Sequence, residues 1–220
     1  MLSPVMRLFL IFGAYPLALA LGYLGIATFK QNLIGWFLII FASAYILGGP
    51  FLLHTYKKEN AISRQESGDR SFWLVQPGFL VVFYASPIEY LIMSQIIPRT
   101  EWLQVVGLVL ISTSMFLHGW ARLALRGMFT GHIQVQKDHP LIQQGPYRVI
   151  RHPAYAGYII MALGLAIGYS SVIGLAGIPL LLLPGLILRI KVEEKLLAEE
   201  YGEEFYLYAQ RTKRLIPGVW

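Results

Sequence analysis

YAGYIIMALGLAIGYSSVIGLAGIPLLLLPGLIL, Tyr155 to Leu188, is 34 residues without a charged side chain. As a single α-helix it would be about 51 Å long at 1.5 Å per residue. The hydrocarbon core of a bilayer is only about 30 Å thick. The run is therefore expected to fold back near Tyr169-Ser170-Ser171. Each arm then holds about 14 to 17 residues, somewhat short of a full crossing of roughly 20. The hairpin either crosses thinly or stops inside the bilayer, and the sequence leaves both open.

Working outward, the rest of the chain has the same character. Its 220 residues are 56% hydrophobic and 14% charged, with a mean hydropathy of +0.56. A soluble domain of this size carries about 25% charged residues. A net charge of +6 and a pI near 9.5 would suit a nucleic-acid binder, but the basic residues flank apolar runs, as topology signals do. There is no cysteine, which excludes disulfides, thiolate metal sites and cysteine nucleophiles.

Toward the N-terminus, four further apolar segments are expected: Leu8 to Phe29, Leu33 to Leu53, Phe72 to Ile97 and Trp102 to Leu117. The first begins like a signal peptide, with Arg7, an apolar run and Ala18-Leu19-Ala20. It reads as a retained span because the run continues to Phe29. Gly48-Gly49-Pro50 should bend the second segment, and Pro77 and Pro87 should break the third. Beyond Leu188, Arg189 to Glu204 reads as a solvated helix, with Tyr201, Phe205, Tyr206 and Tyr208 as an interfacial aromatic face.

The fold class expected is an all-α, polytopic helical membrane protein with about six hydrophobic segments, a C-terminal helical hairpin and a cytoplasmic C-terminal helix. With six crossings, 16 basic residues fall on the side of the termini and 2, Lys30 and Arg99, on the other. The positive-inside rule then makes both termini and the 127–153 loop cytoplasmic. Residues 1–126 are expected to supply about four spans. Residues 127–220 should form a catalytic region around the hairpin 155–188.

The chemistry-bearing residues gather at both ends of the uncharged run. Before it stands Gly145-Pro146-Tyr147 and then Arg151-His152-Pro153-Ala154-Tyr155-Ala156-Gly157. Pro153 suits the first turn of a helix, so the first free N–H groups and the loop side chains would face one spot suited to an anion. After the run, Arg189 and Glu193 are four apart and share a helix face. An Arg there can hold a carboxylate or phosphate; the Glu can hold a cation or a ribose hydroxyl. Each has a plainer reading: Arg189, Lys191 and Arg148 as snorkelling topology signals, Glu193 and Glu194 as a helix start, His152 as a cap. Glu89 and His118 are intramembrane ionisable groups with no partner legible in sequence. No metal-ligand spacing, phosphate loop or dinucleotide fingerprint is present.

Together with Glu193-Glu194-x-x-Leu197, Tyr201-Gly202-x-Glu204-Phe205-x-x-Tyr208 and Arg214-Leu215-Ile216-Pro217, these motifs resemble the isoprenylcysteine carboxyl methyltransferase family. Phospholipid N-methyltransferases are related membrane enzymes. The resemblance covers residues 127 to 217. It implies a membrane enzyme that transfers methyl from S-adenosylmethionine to a lipidic or prenylated acceptor, most simply a carboxylate. It also implies a lipid bilayer as surroundings, no nucleic acid and no metal.

By position, the cofactor would touch Gln134, His139, Pro140, Leu141, Ile142, Tyr147, His152, Pro153, Ala154, Tyr155 and Glu193, with Pro140 and Ala154 contributing backbone or packing. Arg189 would contact the substrate, and Arg189 and Glu193 would serve catalysis. An amine acceptor would need a base, Glu193 or His152. Three alternatives remain. One is an N-methyltransferase of phospholipids or other small amphiphiles. A second is an NADPH-dependent enzyme of the sterol-reductase kind, disfavoured because those tend to carry Arg-His-x-Asn-Tyr. The third is a transporter or scaffold, disfavoured because the polar groups keep to one face.

Overall fold

A computed structural model describes residues 15–56, 63–65, 71–93, 96–125, 134–136 and 140–220. The start of the first apolar segment, most of the 57–70 loop, Arg126 and His139 lie outside these residues. Gln134 is described in its backbone alone.

The described chain is helical apart from one small ribbon. The first helix, α1, is Tyr15–Thr28 and α2 is Ile34–Tyr56. α2 runs on through Gly48-Gly49-Pro50. α3 (Ser71–Leu80), a π-helical turn (Val81–Ala85) and α4 (Ser86–Ile92) follow without a gap. Pro77 and Pro87 therefore do not break this segment. Pro77 lies inside α3, and Pro87 follows the π turn at the start of α4. α5 is Glu101–Ala124.

The expected fold-back is present. α6 (Pro153–Gly168) ends at Tyr169-Ser170-Ser171, and α7 (Val172–Gly177) starts the return. Ser170 takes the left-handed conformation, φ 52°. Its N–H reaches Ile167 O at 2.9 Å, and Ser171 N–H reaches Ala166 O at 2.8 Å. These paired bonds close a helix end as a Schellman motif. Ser171 Oγ then accepts from Gly174 N at 2.8 Å and caps the returning helix.

That return is longer than the composition suggests. α7, a second π turn (Ile178–Leu182) and α8 (Leu183–Tyr201) form one arm of 30 residues. A helix has no need to stop where charge begins, so Arg189 to Glu200 is its continuation and not a separate element. α9 (Glu203–Arg211) follows after Gly202.

Among the described residues, three stretches are long and apolar enough to cross a membrane: Val75–Ile92, Glu101–Ala124 and Val172–Tyr201. Tyr15–Thr28, Ile34–Leu47 and Pro153–Gly168 are shorter apolar helices. Their common core includes Ile34, Leu38, Val82, Ile111, Leu165, Leu182 and Leu186, all 2% exposed or less. α5 and α6 approach through glycine: a Cβ on Gly107 would stand 2.6 Å from Gly164 O. Small residues permit such backbone contact between apolar helices, where van der Waals packing holds them together.

Each end of the bundle is tied by polar bonds. At one end Asn32 Nδ2 donates to Gly168 O at 2.8 Å, Thr28 Oγ1 meets Tyr169 Oη at 2.9 Å, and Tyr90 Oη donates to Gln31 O at 2.9 Å. Glu89 belongs to this end. It is 4% exposed and accepts from Ser171 Oγ, from Val172 N at 3.1 Å and from Ile173 N at 3.0 Å. The carboxylate thus faces the first N–H groups of α7, where the helix dipole favours negative charge. At the other end β1 (Ser63–Gln65) pairs antiparallel with β2 (Gln134–Gln136), Arg64 opposite Val135. β2 also lies against α8.

Candidate active site

The second end carries the chemistry. Gly145, at φ 63°, opens a 3₁₀ turn, Gly145–Arg148. The chain then passes through Val149 to His152 and reaches Pro153, where α6 begins. It is held there by the tail: Arg151 N donates to Lys213 O at 2.8 Å and His152 N to Arg214 O at 3.0 Å. Ile150 and Lys213 form a parallel bridge. His152 is only 4% exposed and stacks on Tyr155, with ring centroids 5.5 Å apart and planes at 15°.

Arg189 and Glu193 meet across Tyr155. Arg189 Nε donates to Tyr155 Oη at 2.9 Å, with the Glu193 carboxylate beside the same phenol. Arg189 is 7% exposed and its guanidinium carbon lies 6.0 Å from the Tyr155 ring centre. Glu193 Oε2 is buried without a hydrogen-bond partner among the described residues; it stands 3.6 Å from His152 Nδ1. A cation and an anion are thereby set side by side where the uncharged arms end.

Glu194, one residue further, does something different. Its Oε1 takes Arg151 Nε at 2.7 Å and faces His152 Nε2 at 3.3 Å. Its Oε2 takes Arg214 Nε at 2.8 Å and Nη2 at 2.7 Å. Arg151 Nη1 also donates to Ala209 O at 3.0 Å and to Thr212 O. Tyr208 Oη donates to Tyr147 O at 2.8 Å. Burial pushes the Tyr147 phenol well above its ordinary value, with the Glu193 carboxylate and Tyr208 adding to the effect.

Of the expected site residues, Tyr147, His152, Tyr155, Arg189 and Glu193 come together. Pro153 and Ala154 are buried in the first turn of α6 beside them. Leu141 and Ile142 are half-buried on the strand of chain leading to the 3₁₀ turn, and Pro140 is exposed. Gln134 is in β2, against α8; its side chain and all of His139 fall outside the described residues. Glu194, Arg151, Arg214 and Tyr208 were absent from the expected set. A one-residue step on a helix turns the side chain by about 100°, so Glu194 cannot share the Arg189–Glu193 face. Among the described residues no three His, Cys, Asp or Glu side chains gather as a metal group.

The sequence profile of the phospholipid methyltransferase family matches residues 102–204. The chain is 25% identical over 151 residues to protein-S-isoprenylcysteine O-methyltransferase B of Arabidopsis thaliana, covering 66% of this chain and 77% of that protein. It is 26% identical over 188 residues to a probable protein-S-isoprenylcysteine O-methyltransferase of Oryza sativa subsp. indica, covering 83% and 93%. A solved structure of the eukaryotic intramembrane Ras methyltransferase ICMT (isoprenylcysteine carboxyl methyltransferase) aligns with a TM-score of 0.57 at 22% identity, over 93% of this chain and 74% of that one. At that identity the structural likeness speaks for the fold.

Proposed function

We propose that the chain is a membrane methyltransferase of the isoprenylcysteine carboxyl methyltransferase type, moving a methyl group from S-adenosylmethionine to the carboxylate of a prenylated or otherwise lipidic acceptor; its likeness to the named methyltransferases supports this reading. The observation that carries this reading is the cluster of Arg189, bonded to Tyr155, and Glu193, beside His152, at the boundary of the apolar arms. The residues fit the donor: a buried Glu193 oxygen still able to accept a bond suits a cationic or hydroxyl-bearing group. When bound, the donor supplies a sulfonium-activated methyl that transfers by in-line displacement.

In this reading the protein's own share is positioning. Glu193 and His152 hold the donor's polar parts. Arg189, fixed by Tyr155, orients the acceptor carboxylate, which is anionic at neutral pH and needs no base. Such orientation is worth roughly 7–11 kcal/mol of barrier. The stacked His152 and Tyr155 rings exclude water from the same spot. Residues 127–220 act as the catalytic region, with Gln134, His139, Pro140, Leu141 and Ile142 completing the donor's wall. Six crossings, with the β1–β2 ribbon and both termini on the cytoplasmic side, bring donor and lipid to the site from opposite phases. The phospholipid methyltransferase profile favours one second reading, transfer to an amine headgroup.

Heats of binding in detergent test the proposal. S-adenosylmethionine and S-adenosylhomocysteine are expected to bind and NADPH is not; failure of both adenosyl ligands overturns the reading. Glu193→Ala is expected to abolish that binding. Arg189→Ala should spare it and lower turnover; loss of affinity in Arg189→Ala would overturn the division of roles. Methyl transfer to a farnesylated N-acetylcysteine, set against phosphatidylethanolamine, separates the carboxylate from the amine acceptor.

A further inference from the structure

We infer that Glu194 is a positioning residue that, through the C-terminal tail, holds the donor-side wall in place. This rests on the proposed donor site at Glu193 and His152.

The two adjacent acids face different tasks. Glu193 keeps one buried oxygen without a partner beside His152. Glu194 spends both oxygens on the protein: Arg151 and His152 on Oε1, Arg214 twice on Oε2. Three separate stretches of chain meet on this one carboxylate. They are the segment before α6, the middle of α8 and the tail after α9. The backbone repeats the junction, since the tail carbonyls of Lys213 and Arg214 accept from Arg151 N and His152 N. The tail is locked in turn: Leu215 N and Ile216 N both donate to Trp220 O at 2.8 Å, and the Arg214 guanidinium lies 5.3 Å from the Trp220 ring centre. Charge-assisted bonds of this kind are short and directional. Leaving Arg151, 9% exposed in its side chain, without its carboxylate would strand a buried cation.

His152 is therefore held from two sides, by Tyr155 stacking and by Glu194. Its orientation toward Glu193 is the property that Glu194 sets. Glu194→Gln keeps the shape of the side chain but turns one oxygen into a donor aimed at a guanidinium. Glu194→Asp keeps the charge. Arg214→Gln, at a half-exposed residue, removes a single partner and leaves Arg151 paired, so it tests the idea even if Glu194→Gln folds poorly.

The full chain in detergent is measured in two ways, by amide hydrogen exchange of peptides spanning 145–156 and 209–220, and by steady-state methyl transfer. Glu194→Gln and Arg214→Gln should raise exchange in both peptides by about tenfold. They should raise the donor KM by roughly tenfold to a hundredfold while kcat at saturation stays within about threefold. Glu194→Asp should recover most of the KM. Glu193→Gln should lose donor affinity with both peptides still protected. Unchanged exchange overturns the inference, as does an unchanged KM with a lowered kcat, which is what a smaller folded fraction alone would give. If the unsubstituted protein binds no adenosyl ligand, the proposed function fails, while the exchange measurement still decides whether Glu194 holds the tail.

Discussion

Tyr208 joins α9 to the 3₁₀ turn through one bond, its hydroxyl donating to Tyr147 O. Burial pushes this phenol from 10 up to about 12. The folded state therefore keeps the proton over a range in which the unfolded chain releases it. Its contribution to stability is full below pH 10 and is lost as pH rises from 10 to 12. Melting temperature in detergent is expected to fall across that window, and to fall less steeply in Tyr208→Phe. That variant should be about 1 kcal/mol less stable at neutral pH, the typical net worth of one hydrogen bond; an identical alkaline slope in both proteins would refute the assignment. At this scale the sequence was readable where the partners are close along the chain. Arg189 and Glu193 lie one helical turn apart, and their meeting is visible in the spacing. Glu194 was not legible, because its partners Arg151 and Arg214 lie 43 and 20 residues away. No local pattern marks which of two neighbouring acids turns toward them.

Between elements, the contact of α5 with α6 depends on Gly107 as much as on any apolar side chain. A Cβ there would stand 2.6 Å from Gly164 O and 2.8 Å from Gly168 Cα, both backbone atoms that cannot swing aside. Gly107→Val is expected to part the two helices and lower the melting temperature by several degrees, a loss of roughly 1–3 kcal/mol for overpacking. The same variant should weaken methyl transfer, because α6 carries Tyr155 at its first turn; a Gly107→Val protein with unchanged melting would refute the close approach. The hairpin itself was legible, since 34 uncharged residues exceed any single crossing and Tyr169-Ser170-Ser171 is its most polar point. The length of the second arm was not. Charge marks where lipid ends, and helix propensity carries α8 onward through Glu193, Glu194 and Lys195 regardless. The ribbon was hidden as well: Ser63–Gln65 and Gln134–Gln136 are too short and too polar to alternate.

For the molecule as a whole, the two polar ends make topology testable. The chain holds no cysteine, so a single introduced thiol reports alone. Lys30→Cys and Lys213→Cys, both at exposed positions, should react with a membrane-impermeant maleimide from opposite sides of sealed vesicles. Labelling from the same side would refute the six-crossing arrangement. The asymmetry of 16 basic residues against 2 made the orientation an expectation from composition alone. What composition could not reveal is the role of Glu89, whose partners Ser171, Val172 and Ile173 lie more than 80 residues later. That separation has a consequence for biogenesis. Synthesis runs from the N-terminus, so α4 and its carboxylate are made before the hairpin exists. When the turn at Ser171 emerges, a receptor for its exposed amides is already waiting. The last hairpin is thus docked by a latch from the earlier half of the chain.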